Sequence, residues 1–315
     1  MTAPPQVSVC VLTYNQQRYI RTCLESVLEQ RHDVRMEILV GDDCSDDGTS
    51  EIVAEFAAAH PDLIRHLRHS PQVGASGNTQ AVLAHASAPL IARLDGDDYW
   101  LPGKLLRQMD YLDAHPECAA VYTNAKTVRE DGKPIGLFND VGDAVFDLAG
   151  VVRRGNVFNN SSVMFRAQSV PPWLAIAEPM IDYRVHLLHA SFGLLGHLAE
   201  PLTVYRVNAS GSLVNQTNDR VRALYWEALT RVPKGSIDEG DVAAGMADFL
   251  RRVIFRAVRT RRLALVTEWV PRVFAAAPAG TLEMSARLAA SIARSAYVEL
   301  RGRMVRNRAP ILYRH

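Results

Sequence analysis

Residues 94–102 read LDGDDYWLP and place three carboxylates, Asp95, Asp97 and Asp98, within four positions, after an apolar run and just before Trp100 and Pro102. Carboxylates this close repel one another and raise each other's pKa, so a fold keeps them where something offsets the repulsion. A divalent cation does so: hard ions take oxygen ligands and commonly bind through one or two carboxylates plus substrate phosphates. Taken alone, DGDD is also an ordinary Asp/Gly turn. Residues 43–48 (DCSDDG) put Asp43, Ser45, Asp47 and Gly48 where a calcium loop begins, but Ala54 stands where the loop needs a bidentate Glu, which excludes an EF-hand. His66, His69 and His85 lack metal-ligand spacing and read as solvated surface, while Trp100 and Leu101 read as packing residues.

The elements that must carry these groups follow from periodicity. Residues 7–12 (VSVCVL) predict a strand, and Ile20, Cys23, Leu24, Val27 and Leu28 recur on one helix face. Residues 36–41 (MEILVG) predict the next strand, and Thr49 or Ser50 can cap a helix with Ile52, Val53 and Phe56. A weaker strand at 63–67, a helix at 78–86 and a strand at 89–94 lead to DGDD; a helix with Leu105, Leu106, Met109 and Leu112 and a strand at 119–122 follow. This βαβ alternation implies an α/β fold with a mainly parallel sheet and helices on both faces. Ligands of such sheets sit beyond the carboxyl ends of the strands. Thr13, Tyr14 and Asn15, then Asp42 and Asp43, then Asp95, Asp97 and Asp98 all fall at such ends. Neither GxGxxG after the first strand nor GxxxxGK[ST] occurs, so a bound nucleotide would rely on aspartates and a metal for its phosphates.

In this order and spacing, VSVCVLTYN, EILVGDDCSDDGT, GASGN and IARLDGDDYWLPGKL resemble the nucleotide-sugar half of the family 2 glycosyltransferases, which have the GT-A fold. The resemblance is strong over residues 6–130 and continues to about 212. It implies a GT-A domain over 1–225, with a nucleotide-sugar half at about 6–130 and an acceptor half at about 131–225, followed by a basic helical region at 226–315. It further implies a nucleotide-diphosphate sugar donor, UDP-type favoured, and Mg2+ or Mn2+. Asp43 would accept from a base N–H and Tyr14 would pack near the base, with Thr13, Asn15 and Asn78 among the donor contacts. Asp95 would reach the ribose or the metal, Asp97 would coordinate the metal, and Asp98 would extend the metal cluster. Gly96 would let the backbone turn tightly between Asp95 and Asp97.

For the second half, residues 156–166 (NVFNNSSVMFR) resemble the family's acceptor-facing loop leading into a core strand. Asp182 in IDYRVHLL takes the position of the family's catalytic aspartate, with Ile181 replacing the usual acidic neighbour; capping the following helix is its other reading. Residues 205–211 (YRVNASG) resemble a YRxHxxS element that covers the donor diphosphate, with Asn208 where His is common, making Arg206 a phosphate contact or a surface ion pair. The QxxRW element of processive members is absent, which favours single-sugar transfer. The resemblance implies an inverting reaction, with Asp182 taking a proton from the acceptor hydroxyl, in cell-surface polysaccharide or glycolipid assembly. The competing classes are a catalytically silent GT-A binding or scaffold protein, a nucleotidyltransferase, for which no Gly/Lys-rich triphosphate loop is evident, and a nucleic-acid binder, disfavoured by a tail without interleaved aromatics.

The chain has 315 residues, 48% of them hydrophobic, and a net charge of +1. Residues 250–315 carry 14 arginines, no lysine and three acids, leaving the preceding 249 residues at about −10. Arg287, Arg294, Arg301 and Arg308 recur every seven positions beside Met284, Leu288 and Ile292, a basic amphipathic helix that would rest on an anionic membrane, dock on the acidic body or dimerise. The acceptor would then be a glycan or lipid-linked molecule. Four scattered cysteines and the lack of a leader-like N-terminus or apolar span point to a cytoplasmic protein, with peripheral contact at the inner face of the membrane as an option.

Overall fold

β1 (Val7–Thr13), β2 (Met36–Asp42), β3 (Ile64–Arg68) and β4 (Leu90–Asp95) lie parallel in the order β3-β2-β1-β4, as the α/β reading expects. The computed structural model describes residues 3–176, 179, 181–207, 218–304 and 310–313. All seven positions of β1 are buried, because a parallel strand is covered on both faces. On one face Val7, Val9 and Val11 pack with Ile20, Cys23, Leu24 and Val27 of α1 (Ile20–Glu29) and with Val53 and Phe56 of α2 (Thr49–Ala59). On the other, Cys10 and Leu12 meet Val82 and Leu83 of α3 (Gly74–Leu83).

Three local readings are corrected. The helix expected at 78–86 starts at Gly74, because the Asp43 carboxylate accepts the backbone N–H groups of Val73 and Gly74, a cap delivered from another element. The residue preceding α2 is Gly48 at φ 97°, and Thr49 is already helical. The strand expected at 119–122 runs on as β6 (Cys118–Val128), since Asn124 satisfies its amide on Asn139 and Ala125 and polar residues can therefore continue it.

Beyond β4 the sheet turns mixed. β5 (Tyr99–Trp100) and α4 (Lys104–Ala114) lead to β6, followed by β7 (Pro134–Asn139), β8 (Ala144–Phe146) and α5 (Leu148–Arg154). β9 (Met164–Arg166) inserts antiparallel between β4 and β6. α6 (Val170–Leu174) and α7 (Asp182–Ala190) precede β10 (Leu194–Arg206), which runs parallel to β6 and antiparallel to β5 and β8.

The expected boundary near residue 225 falls inside α8 (Asn218–Thr230). α9 (Glu239–Thr260), α10 (Ala264–Ala276) and α11 (Thr281–Met304) follow, and then β11 (Ile311–Tyr313), which pairs parallel with β7. Trp226, Met246, Phe249, Trp269 and Met284 share one core with Phe158, Tyr183 and Leu195, so the helical region is packed onto the sheet and α7. Several tail arginines are already paired: Arg262 with Asp219 of α8, and Arg251 and Arg252 with Asp248 of their own helix. Of the seven-residue series, Arg287 pairs with Glu283 and Arg294 is exposed; the Arg301 side chain and Arg308 lie outside the described residues. Among the described residues no helix is long and apolar enough to cross a membrane.

Gly245 of α9 lies tightly against α5, where a Cβ would stand 2.6 Å from the Val152 carbonyl oxygen. Gly245→Ala should therefore lower stability by about 1–3 kcal/mol, the usual cost of overpacking, read as a lower urea midpoint at unchanged slope. An unchanged midpoint would mean that the helices do not bear on the body at this point.

Candidate active site

The register levels three strand ends: Leu12 pairs with Asp95 across β1 and β4, and Thr13 with Asp42 across β1 and β2. The loop after β1 is stitched to the acidic loop after β2. Asn15, at φ 51°, donates its N–H to Ser45 and exchanges amide and backbone hydrogen bonds with Asp46, while Gln17 N–H reaches Asp47. The carboxylates of Asp46 and Asp47 thus serve loop structure. Asn15 is committed to the same loop, Tyr14 is 45% exposed at its rim, and Thr13 is buried with its hydroxyl oxygen lacking a partner.

Asp42 is fully buried. Burial pushes its carboxyl up, but hydrogen bonds involving His66, Ser45 and Ser50 outweigh that and hold it well below the usual range. His66 and His69 are accordingly not free surface residues: the first meets Asp42 and the second Asn78, at 3.4 and 3.1 Å. Asn78, expected among donor contacts, also donates to the Gly41 carbonyl, so both ends of its amide brace α3 against β2. One oxygen of Asp43 holds the start of α3, at 2.7 and 3.2 Å from the Val73 and Gly74 nitrogens.

The three aspartates of the opening motif separate into distinct roles. Asp95 meets Arg93 at 3.1 Å and is partly open to solvent. Asp98 is buried and fully engaged: Ser161 Oγ donates to one oxygen at 2.5 Å and the Arg206 N–H to the other at 2.8 Å. Its oxygens thus fasten β10 and the Asn160–Ser162 turn to the DGDD loop, besides the place in a metal cluster that the resemblance implied. Asp97 is left with the least compensation; burial, then the nearby Asp95, raise its pKa to about 6, against the pull of Arg206 and Gln16. Gly96 turns the chain without a positive φ, and its value is space, because a Cβ would stand 2.5 Å from Gln16 Oε1.

Arg206 is also more occupied than expected. Its guanidinium donates to the carbonyls of Asp97, Arg129 and Glu130 and lies over the Tyr19 ring at 4.4 Å. It places a positive charge beside Asp97 while closing the loop. The neighbouring Asn208, Ser210 and Gly211 lie outside the described residues.

Asp182 opens α7 at its first turn; the capping position is Ile181, with no side-chain cap. One Asp182 oxygen accepts from Asn160 Nδ2 at 2.8 Å and lies 3.6 Å from Arg93. The side chain is 50% exposed within a crowded cleft. Burial among protein atoms raises its pKa, Arg93 lowers it and Asp95 raises it again, giving a net rise that suits a proton acceptor better than an ordinary surface carboxylate.

Arg93 is the residue that sequence reasoning missed. Two positions before Asp95 on β4, on the same strand face, it spans Asp95 and Asp182 with its two terminal nitrogens. The signal was an arginine inside the run LIARLD, since a charge in a covered strand needs partners. Asn160 and Ser161 were inside a flagged segment but were not singled out.

Several buried polar atoms around this crevice lack a protein partner: Thr13 Oγ1, Gln16 Oε1, Arg93 Nε, Asn159 Oδ1 and Asn160 Oδ1. Such atoms are rare in finished cores, and a polar ligand or water in the crevice would satisfy them. A divalent cation fits at Asp95 and Asp97, whose crowding it would relieve, provided phosphate oxygens complete its shell. Among the described residues no group of three or more His, Cys, Asp or Glu is arranged to hold an ion alone. A surface hollow of about 540 Å³ lined by Tyr111, His115, Asp143 and His197 contains none of these aspartates.

Residues 8–155 match the sequence model of glycosyl transferase family 2. An uncharacterized protein of Mycobacterium tuberculosis is 32% identical over 222 residues, which is 70% of this chain and 64% of that protein, so the chain spans less than two thirds of this relative's length. The amylovoran biosynthesis glycosyltransferase AmsE of Erwinia amylovora is 27% identical over 66% of this chain and 78% of its own. Among solved structures, TarS of S. aureus (residues 1–349, with UDP-GlcNAc) superposes with a TM-score of 0.65 at 18% identity, covering 94% of this chain and 92% of that one, a likeness of fold.

The division of labour among the aspartates is measurable. Asp98→Ala would leave the Arg206 N–H and Ser161 hydroxyl unpaired and should cost about 1–3 kcal/mol of stability. Asp97→Ala, which relieves repulsion, should leave the denaturation midpoint unchanged or raised. The reverse order would contradict the assignment of Asp98 to the scaffold.

Proposed function

We propose, from the match of residues 8–155 to the glycosyl transferase family 2 model, that the chain moves one sugar from a nucleotide-diphosphate sugar to an acceptor hydroxyl with inversion at the anomeric carbon. The observation that carries this reading is the Arg93 span, which holds a donor-side carboxylate, Asp95, and a separate carboxylate, Asp182, on one guanidinium. Two acidic sites with different surroundings suit two tasks, leaving-group stabilisation and proton acceptance.

In this proposal the base packs at the β1–β2 end near Tyr14 and the free side of Asp43, and the ribose and diphosphate run toward Asp95 and Asp97. A divalent cation, Mg2+ or Mn2+, held there with phosphate oxygens would neutralise charge on the departing diphosphate. Asp182 accepts the acceptor's proton as that oxygen attacks, and no covalent intermediate is needed. Asn160 fixes the carboxylate by bonding one oxygen, leaving the other for the proton. Arg93 keeps Asp182 ionised until the acceptor arrives, and Arg206 adds positive charge on the diphosphate side. TarS was solved with UDP-GlcNAc and AmsE is named for amylovoran biosynthesis; a uridine-type donor and a role in cell-surface polysaccharide or glycolipid assembly are carried to this chain on that support.

The assignment is tested by pairing two variants in a donor-turnover assay. Asp182→Asn keeps size and much of the hydrogen bonding but cannot take a proton, so kcat should fall by about 10²–10⁴ with donor affinity nearly intact. Asp97→Asn should instead weaken donor and metal binding together. Near-normal turnover in Asp182→Asn would show that Asp182 merely begins a helix.

A further inference from the structure

The C-terminal strand returns to the catalytic sheet after the helical region, and what it delivers is an aromatic ring. β11 pairs parallel with β7, Tyr313 opposite Asn139, and the Pro310 carbonyl accepts the Leu137 N–H at 2.9 Å. The approach is provided for in β7 itself: a Cβ on Gly136 would stand 1.8 Å from the Pro310 oxygen, so any side chain there would exclude the strand. Tyr313 then packs on Phe138 at 5.0 Å, and Phe138 meets Tyr205 edge-on at 5.5 Å. Phe138 is buried, whereas Tyr313 is 45% exposed, leaving part of its surface open.

The position of this trio is informative. Tyr205 immediately precedes Arg206, whose backbone and side chain hold the DGDD loop. Burial raises the pKa of Tyr205, and the charges of Asp98, Asp97 and Asp182 all add to the rise. The charge of Asp182 also reaches Tyr313. The rings thus extend from the DGDD loop, through Tyr205 beside Arg206, to the sheet edge that β11 completes. The base-side loops after β1 and β2 are at the other end of the strand order, which runs β11-β7-β6-β9-β4-β1-β2-β3.

We infer that Phe138, Tyr205 and Tyr313 form a platform that receives a pyranose ring of the acceptor, so that the C-terminal strand completes the acceptor site; this rests on the glycosyltransferase reading above. The C–H face of a pyranose carries slight positive charge and meets the negative face of an aromatic ring, and tyrosine hydroxyls can bond the ring hydroxyls. Phe138 supports the platform from beneath, Tyr313 offers its open surface, and Tyr205 links it to the charged centre.

Saturation-transfer NMR tests the platform with methyl β-glucoside, methyl β-galactoside and methyl N-acetyl-β-glucosaminide, in the presence of Mg2+ and a nucleoside diphosphate (UDP, GDP and dTDP in turn). The wild-type protein should transfer saturation to the ring protons of at least one glycoside. Tyr313→Ala should weaken that binding by about tenfold, the scale of one lost aromatic contact, while Tyr313→Phe should retain it. Nucleoside diphosphate binding, measured on the same samples, should be equal in all three proteins. Equal transfer in wild type and Tyr313→Ala would overturn the platform, as would no transfer to any glycoside by a wild-type protein that binds nucleotide; the donor reading would survive both. Failure of the wild type to bind any of the nucleotides would strike the donor reading and the platform with it.

Discussion

Mutual repulsion among Asp95, Asp97 and Asp98 at the end of one strand is the constraint around which the crevice is arranged. The structure resolves it differently for each group. Asp98 is withdrawn into the protein and satisfied by Ser161 and the Arg206 N–H. Asp95 is balanced by Arg93. Asp97 keeps a raised pKa of about 6 with no protein cation in direct contact with its carboxylate among the described ion pairs, so the residual negative potential is concentrated where a cation and diphosphate would be placed.

These compensations draw in parts of the chain far apart in sequence. Ser161 comes from the turn before β9 and Arg206 from the end of β10, so the DGDD loop is fixed only when the second half has folded onto the first, while Asp182, at the start of α7, shares Arg93 with Asp95. α7 is in turn clamped from behind: Tyr183 stacks on Tyr225 at 4.1 Å, and Tyr225 stacks on Phe249 of α9. The helical region therefore contributes to the position of Asp182 through packing, and through β11 it extends the sheet at β7.

The parallel half was legible because its strands are continuous apolar runs and α1 repeats its buried face at helical spacing. The strand-end aspartates could be found because the α/β pattern says where strand ends converge. What local reading could not supply were tertiary bonds: the start of α3 depends on Asp43, the length of β6 on Asn124 bonding Asn139, and the inward turn of Asp98 on Ser161. Arg93 was visible as an arginine in an apolar strand, but its two partners lie on β4 and on α7, 87 positions further along for Asp182 than for Asp95, and only the folded chain joins them. β11 carried no warning at all, since a three-residue strand after a long helix has no periodicity to recognise.

The most direct measurement of the central claim is calorimetric titration of nucleoside diphosphates into the wild-type protein, once with Mn2+ and once with a chelator. If Asp97, beside the Arg93-paired Asp95, is held unneutralised for a cation that shares its shell with the diphosphate, binding should weaken by at least about tenfold in chelator. Equal affinity in the two conditions would contradict the account, because the diphosphate would then be held without any ion on these carboxylates.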